Sequence, residues 1–207
     1  MKKIFFLFLM APIVVHAQFS KGDAFLGGTL SGSYSDFSSA KNPMGLNYYV
    51  RSIYSYSISP TLGFFTSKRF ALGGTISVGG SGTEIGPDTN MQKNYTTNGS
   101  VAVMGRYFFP LSEKFMFALT ADVFYSRSKD DNANGDGSRS IDKSYSTGLH
   151  VKPTLLFFPS RRWGFEASVG SVQFVHDQSL TKDVKTDNFN ATFGAVSLGV
   201  AYYFRKS

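Results

Sequence analysis

One phrase occurs three times in this chain: two aromatics, a polar turn of four or five residues, and a further aromatic that opens a new run of alternating apolar residues. It reads Phe64-Phe65-Thr-Ser-Lys-Arg-Phe70, Phe108-Phe109-Pro-Leu-Ser-Glu-Lys-Phe115 and Phe157-Phe158-Pro-Ser-Arg-Arg-Trp163. Pro60-Thr61-Leu62 precedes the first Phe pair and Pro153-Thr154-Leu155 precedes the third, so a hairpin unit is repeated. Tight turns flanked by aromatics at one level describe a girdle, which membrane interfaces select. The expected girdle comprises Phe64, Phe70, Tyr107, Phe109, Phe115, Phe157, Trp163 and Phe204.

The local period supports the same reading. Tyr54, Tyr56, Ile58, Leu62 and Phe64 alternate with Ser55, Ser57, Ser59 and Thr61; Phe115, Phe117, Leu119, Val123 and Tyr125 oppose Thr120, Asp122 and Ser126. Alternation of this kind marks strands with one apolar and one polar face. Eight runs emerge, beginning near residues 24, 53, 70, 100, 115, 145, 163 and 196. Short turns between them alternate with polar stretches expected as loops at about Ser35 to Arg51, Thr83 to Tyr95, Arg127 to Lys143 and Asp177 to Asn188. The fold class predicted is all-β: an eight-stranded antiparallel up-and-down transmembrane β-barrel. Pro60 and Pro153 fall inside strands of a sheet with no free edge, which predicts a bulge at each.

Charge decides which face meets lipid. Arg106, Asp122, Lys152 and Glu166 all fall on the Ser/Thr/Gly face. A Lys or Arg at the bilayer middle would cost about 2–4 kcal/mol, so the polar face lines the interior. A soluble barrel would instead expose its rows of Phe, Tyr, Leu and Val to water. An eight-stranded interior is just wide enough for side chains to fill. The four lumen charges are expected to form opposite-sign pairs, Arg106 with Glu166 and Asp122 with Lys152.

Residues 1–17, with Lys2-Lys3, an apolar run from Ile4 to Val15 and Ala17, read as a secretory signal peptide, leaving 18–207 as one barrel domain. Removing Lys2 and Lys3 lowers the formal charge from +7 to +5. Lys68, Arg69, Lys114, Arg161, Arg162, Arg205 and Lys206 cluster at turns or the chain end. They read as a rim facing anionic lipid head groups. No basic stripe follows any one element, so nucleic acid is not an expected partner. With no Cys, disulfides and thiolate metal sites are excluded.

Asp130, Asn132, Asn134 and Asp136 with Gly135 match the first half of a Ca²⁺ loop. The second half fails, because the twelfth position is Ile141. No cofactor is therefore expected, Ca²⁺ being the one ion the motif would suit. Only His150 and His176 follow the signal, and no Ser stands at a diagnostic motif beside them, so the chain is not expected to be an enzyme.

The chain resembles the small eight-stranded outer-membrane barrels of Gram-negative bacteria, the OmpA/OmpX-like barrels and their porin-family relatives. The resemblance rests on the three aromatic turn units, the Gly-rich first and third strands and the closing Tyr202-Tyr203-Phe204. It implies an outer-membrane location with both termini in the periplasm. It also implies lipid and lipopolysaccharide as surroundings, an unidentified loop ligand, and recognition by the barrel-assembly machinery. Arg205-Lys206-Ser207 follow the terminal aromatic, a departure from the usual assembly signal. Three functions stay open: a closed barrel that presents external loops for binding or envelope integrity, a narrow passive or gated channel for ions and small solutes, and a rim enzyme.

Overall fold

The computed structural model describes residues 19–36, 50–86, 92–133 and 137–205. The predicted signal peptide lies outside them. Eight strands follow in order: β1 Ala24–Asp36, β2 Val50–Phe65, β3 Phe70–Ile85, β4 Gln92–Pro110, β5 Phe115–Ala133, β6 Arg139–Phe157, β7 Trp163–Ser179 and β8 Lys185–Phe204. Each pairs antiparallel with its sequence neighbour, and β1 pairs with β8 to close the barrel.

The three repeated units form three structurally equivalent turns. In each, a Ser hydroxyl accepts a hydrogen bond from the backbone N–H of the aromatic three residues on. Phe70 donates to Ser67 at 3.1 Å, Phe115 to Ser112 at 3.2 Å and Trp163 to Ser160 at 3.2 Å. This side-chain turn holds the chain reversal whether the turn is four or five residues long.

The outer surface is the apolar one. Leu30, Val103, Val123 and Leu198 are exposed, whereas Arg106, Thr120, Asp122 and Thr154 are buried inside. The girdle residues face outward near the turn end, with Phe115 against Phe157 at 5.0 Å between ring centroids, Tyr107 against Phe109 at 4.7 Å and Trp163 against Tyr202 at 5.2 Å. A second aromatic level lies ten residues along β5, where Tyr125 stacks on Tyr145. Ten residues at about 3.3 Å rise and a tilt of about 40° span about 25 Å, the height of an outer-membrane apolar band.

The strands continue well past that level, which corrects three of the expected loops. β4 begins at Gln92, β5 runs to Ala133, β6 begins at Arg139 and β7 and β8 reach Ser179 and Lys185. Apolar alternation ends where the lipid ends, but the backbone ladder does not. Thr96 donates to Asp130 at 2.6 Å and Arg139 Nε to Asp131 at 2.6 Å, so polar cross-strand pairs carry the ladder onward.

The prolines divide. Pro153 sits within a register shift between Val151 and Thr154 against β7, as a bulge requires. Pro60 does not: Ile58↔Val78 and Thr61↔Thr75 keep one register across it. There the missing N–H interrupts the ladder without adding a residue to either strand.

Candidate functional site

The lumen at the turn end is filled in two tiers. In the upper tier Arg106 from β4 reaches across the barrel to Glu166 on β7, its Nη1 donating to Oε1 at 2.9 Å and to Oε2 at 3.0 Å. Its Nε donates to Thr120 on β5 at 2.9 Å, and Tyr203 on β8 donates to the same Glu166 Oε1 at 3.3 Å. The guanidinium also lies 5.4 Å from the Phe25 ring centroid, a cation–π distance. Asp122 takes Lys152 at 3.4 Å and has His150 at 3.7 Å. His150 faces Asp122 directly across the β5–β6 register and so extends this pair into a triad.

Period two dictates which elements deliver these groups. Arg106 and Thr120 are register partners, as are Thr120 and Lys152, so one inward row carries donor and acceptor around the wall. A confined charge is tolerable only when its partner and its remaining hydrogen-bond capacity are both supplied.

The lower tier is aromatic. Phe65, Phe108 and Phe158 are buried, together with Phe25, Met116, Leu156 and Tyr203. At their centre is Phe19, which stacks on Phe65 at 4.2 Å and lies 5.2 Å from both Phe108 and Tyr203. Arg205, just past β8, places its guanidinium 4.5 Å from the Phe19 ring and 5.2 Å from Phe158. Phe19 is aimed inward by a tight reversal. Ser20 N–H donates to Asp23 Oδ2 at 2.9 Å and Asp23 N–H to the Ser20 carbonyl at 3.1 Å. Gly22, with φ of 91°, adopts a backbone conformation that side chains resist and donates to the Phe65 carbonyl at 2.8 Å.

Each Phe pair is therefore split. Phe64, Phe109 and Phe157 are exposed on the outer face, whereas Phe65, Phe108 and Phe158 are buried inside the lumen. Alternation contained that signal, since adjacent strand residues face opposite sides. Nothing comparable in the sequence marked Phe19, which precedes the first strand.

The candidate Ca²⁺ segment is not a loop over its first half. Asp130 and Asn132 stand on β5, paired in register with Asp142 and Ser140, while Asn134, Gly135 and Asp136 lie outside the described residues. Among the described residues, no cluster of three His, Cys, Asp or Glu side chains has a metal-holding arrangement. His176 bonds Asp187 at 2.7 Å, on the outer face. Its neighbour Asp177 faces the other way and accepts from Ser146 and from Asn188. Ser146 and His176 thus stand on opposite sides of the sheet.

No protein-family model matches the sequence, and no curated protein matches it. Among solved structures the chain is similar to the outer membrane protein OprG from Pseudomonas aeruginosa, at 14% identity over 91% of this chain and 99% of that one, with a TM-score of 0.53. It is also similar in outline to Ail, the attachment invasion locus protein of Yersinia pestis, at 12% identity over 89% and 100% with a TM-score of 0.45. Neisserial surface protein A matches at 16% over 88% and 97% with a TM-score of 0.39. The likeness to OprG establishes the fold, a closed eight-stranded antiparallel β-barrel of the outer-membrane type.

Proposed function

We propose, starting from the outer-membrane barrel fold, that this chain is a closed barrel that works above the membrane rather than through it. The observation that carries this is Phe19, seated among Phe65, Phe108, Phe158 and Tyr203 beneath the Arg106–Glu166 pair. An ion or solute entering from the loop end would have to break a bonded charge pair and then displace a packed aromatic ring. Neither step is offset by anything the solute brings.

Above the upper aromatic level β5 continues from Ser126 to Ala133 and β6 starts at Arg139, so the barrel stands clear of the apolar band as a palisade of polar strands. Its ends carry one long connection, residues 37–49 between β1 and β2, and three short ones. We read this palisade as the surface that meets an external ligand or stiffens the envelope, with the short turns and both termini in the periplasm. Outer-leaflet lipid, including lipopolysaccharide, is the surrounding medium and the barrel-assembly machinery the biogenesis partner. No catalytic role is assigned, because the outward His176–Asp187 pair and the inward Ser146–Asp177 pair do not converge.

Epitope insertion tests the topology on which this reading depends. A tag between Gly137 and Ser138 should be labelled by antibody on intact cells, and one between Lys68 and Arg69 only after the outer membrane is permeabilised. The reverse pattern would overturn the reading.

A further inference from the structure

The barrel is closed along only part of one seam. β1 and β8 pair from Ala24↔Phe204 to Thr29↔Gly199, six residue pairs, although β1 continues to Asp36 and β8 begins at Lys185. On its other side β1 pairs with β2 all the way to Asp36. Among the described residues the outer part of the β1–β8 seam therefore carries no ladder. Unpaired strand edges at membrane depth are costly unless water or a partner meets them.

The opening lies beside a local irregularity. Between β7 and β8 the register shifts at Ser168/Gly170, and Gly170 and Gly194 flank the shift with φ of 119° and 85°. A Cβ on Gly170 would lie 2.2 Å from the Thr192 carbonyl oxygen, so the position needs glycine. A bulge bends the strands that carry it, and this one begins two residues from Gly199, the last β8 residue paired with β1.

A groove of about 600 Å³ lies at the foot of the opening. Its walls are Leu30, Ile58, Pro60, Phe165, Leu198 and Val200, all from the outer apolar face. The volume falls within the roughly 300–1,000 Å³ of small-molecule sites. Gly27, Gly28, Thr29 and Glu166 line both this groove and a polar lumen cavity of about 170 Å³. The absence of bulky side chains at Gly27 and Gly28 brings the two spaces together.

We propose that the β1–β8 seam is a binding cleft for a single-chain amphiphile with a neutral, hydroxyl-bearing head, such as a monoacylglycerol. The hydrocarbon chain lies in the outer groove, at the depth of the bilayer chains. The head turns inward toward the hydroxyls of Thr29 and Ser59 in the lumen cavity. Charge selects the neutral head: Arg106 and Lys152 balance Glu166 and Asp122, so the cavity offers no net charge to a carboxylate or an ammonium.

The chain supplies its own probe, because Trp163 is its one tryptophan and stands two residues from Phe165 on the same face of β7. The full barrel in lipid nanodiscs is titrated with a monoacylglycerol brominated on its chain, and quenching of Trp163 is followed. Saturation at one probe per barrel is expected. A Ser31→Cys/Ser197→Cys pair, one register step beyond Thr29↔Gly199 on the lumen face, staples the seam in a chain free of other cysteines. Oxidation should weaken half-saturation at least tenfold and reduction should restore it. If that pair does not oxidise, Ile58→Phe with Leu198→Phe fills the groove from both walls and should give the same loss. Quenching that rises linearly with probe and is unchanged in the closed or filled barrel overturns the proposal, leaving ordinary bilayer contact. The proposal rests on the membrane reading above. A barrel that fails to insert into nanodiscs defeats both, whereas an inserted barrel with linear quenching defeats this one alone.

Discussion

Phe19 and Phe65 stack at 4.2 Å with their planes 23° apart, although one precedes the first strand and the other ends the second. Two further bonds, Gly22 N–H to the Phe65 carbonyl and Phe65 N–H to the Asp23 carbonyl, both 2.8 Å, tie the same two segments together. The segment that precedes β1 is thus packed into the lumen at its turn end.

Phe19→Ala should cost about 3–5 kcal/mol, the usual loss on truncating a buried Phe, and Phe19→Leu less than about 1.5 kcal/mol. Urea unfolding of the barrel in lipid vesicles, followed by Trp163 fluorescence, measures both. Equal, small losses would mean that Phe19 does not pack as described.

Arg106→Ala leaves Glu166 in the lumen without its cation and should destabilise by about 3–5 kcal/mol. Adding Glu166→Ala should recover a large part of that, giving a coupling of about 0.5–3 kcal/mol in a double-mutant cycle. Additive losses would show that the two groups do not act as a pair.

The outer face is open to a sharper comparison. Val103, on β4 opposite Val123, faces outward between the two aromatic levels, and Val103→Arg should cost about 2–4 kcal/mol in vesicles. Tyr95, on the same face but above the band, should tolerate Arg with a loss of about 0–1 kcal/mol. Similar losses at both would place the band elsewhere.

At the loop end the Arg139 guanidinium, hydrogen-bonded to Asp131, holds that carboxyl below its ordinary range. A depressed carboxylate contributes stability above its unfolded value, near 3.9, and loses it as pH falls through the folded value. Amide exchange at Asp131 and Ile141 should therefore accelerate, relative to its intrinsic rate, as pH drops below about 4. Asp131→Asn should remove that step. Both side chains meet water, so the effect is confined to this end of β5 and β6.

Much of this architecture was legible because one physical rule writes it twice. Alternation fixed the number of strands and their faces, and the same alternation places Arg106, Asp122, Lys152 and Glu166 on the lumen side. The strand tops were hidden, since residues such as Ser128, Asp130 and Ser140 pair as strands without contributing apolar period. The same rule splits each Phe pair, turning one ring outward and its neighbour inward. Phe19 and the β1–β8 seam were not legible at all. The first depends on a backbone reversal at Gly22 and the second lies beside a register shift between strands, and neither leaves a compositional mark. Pro60 and Pro153 show the same limit, because similar local sequences settle one without a register shift and the other within one.

Planar-bilayer recording of the folded barrel, against a boiled sample, tests the closed lumen most directly. The two-tier plug predicts a silent bilayer for the wild-type protein. Reproducible conductance steps absent from the boiled sample would show that the Arg106–Glu166 pair and the Phe19 cluster do not close the lumen.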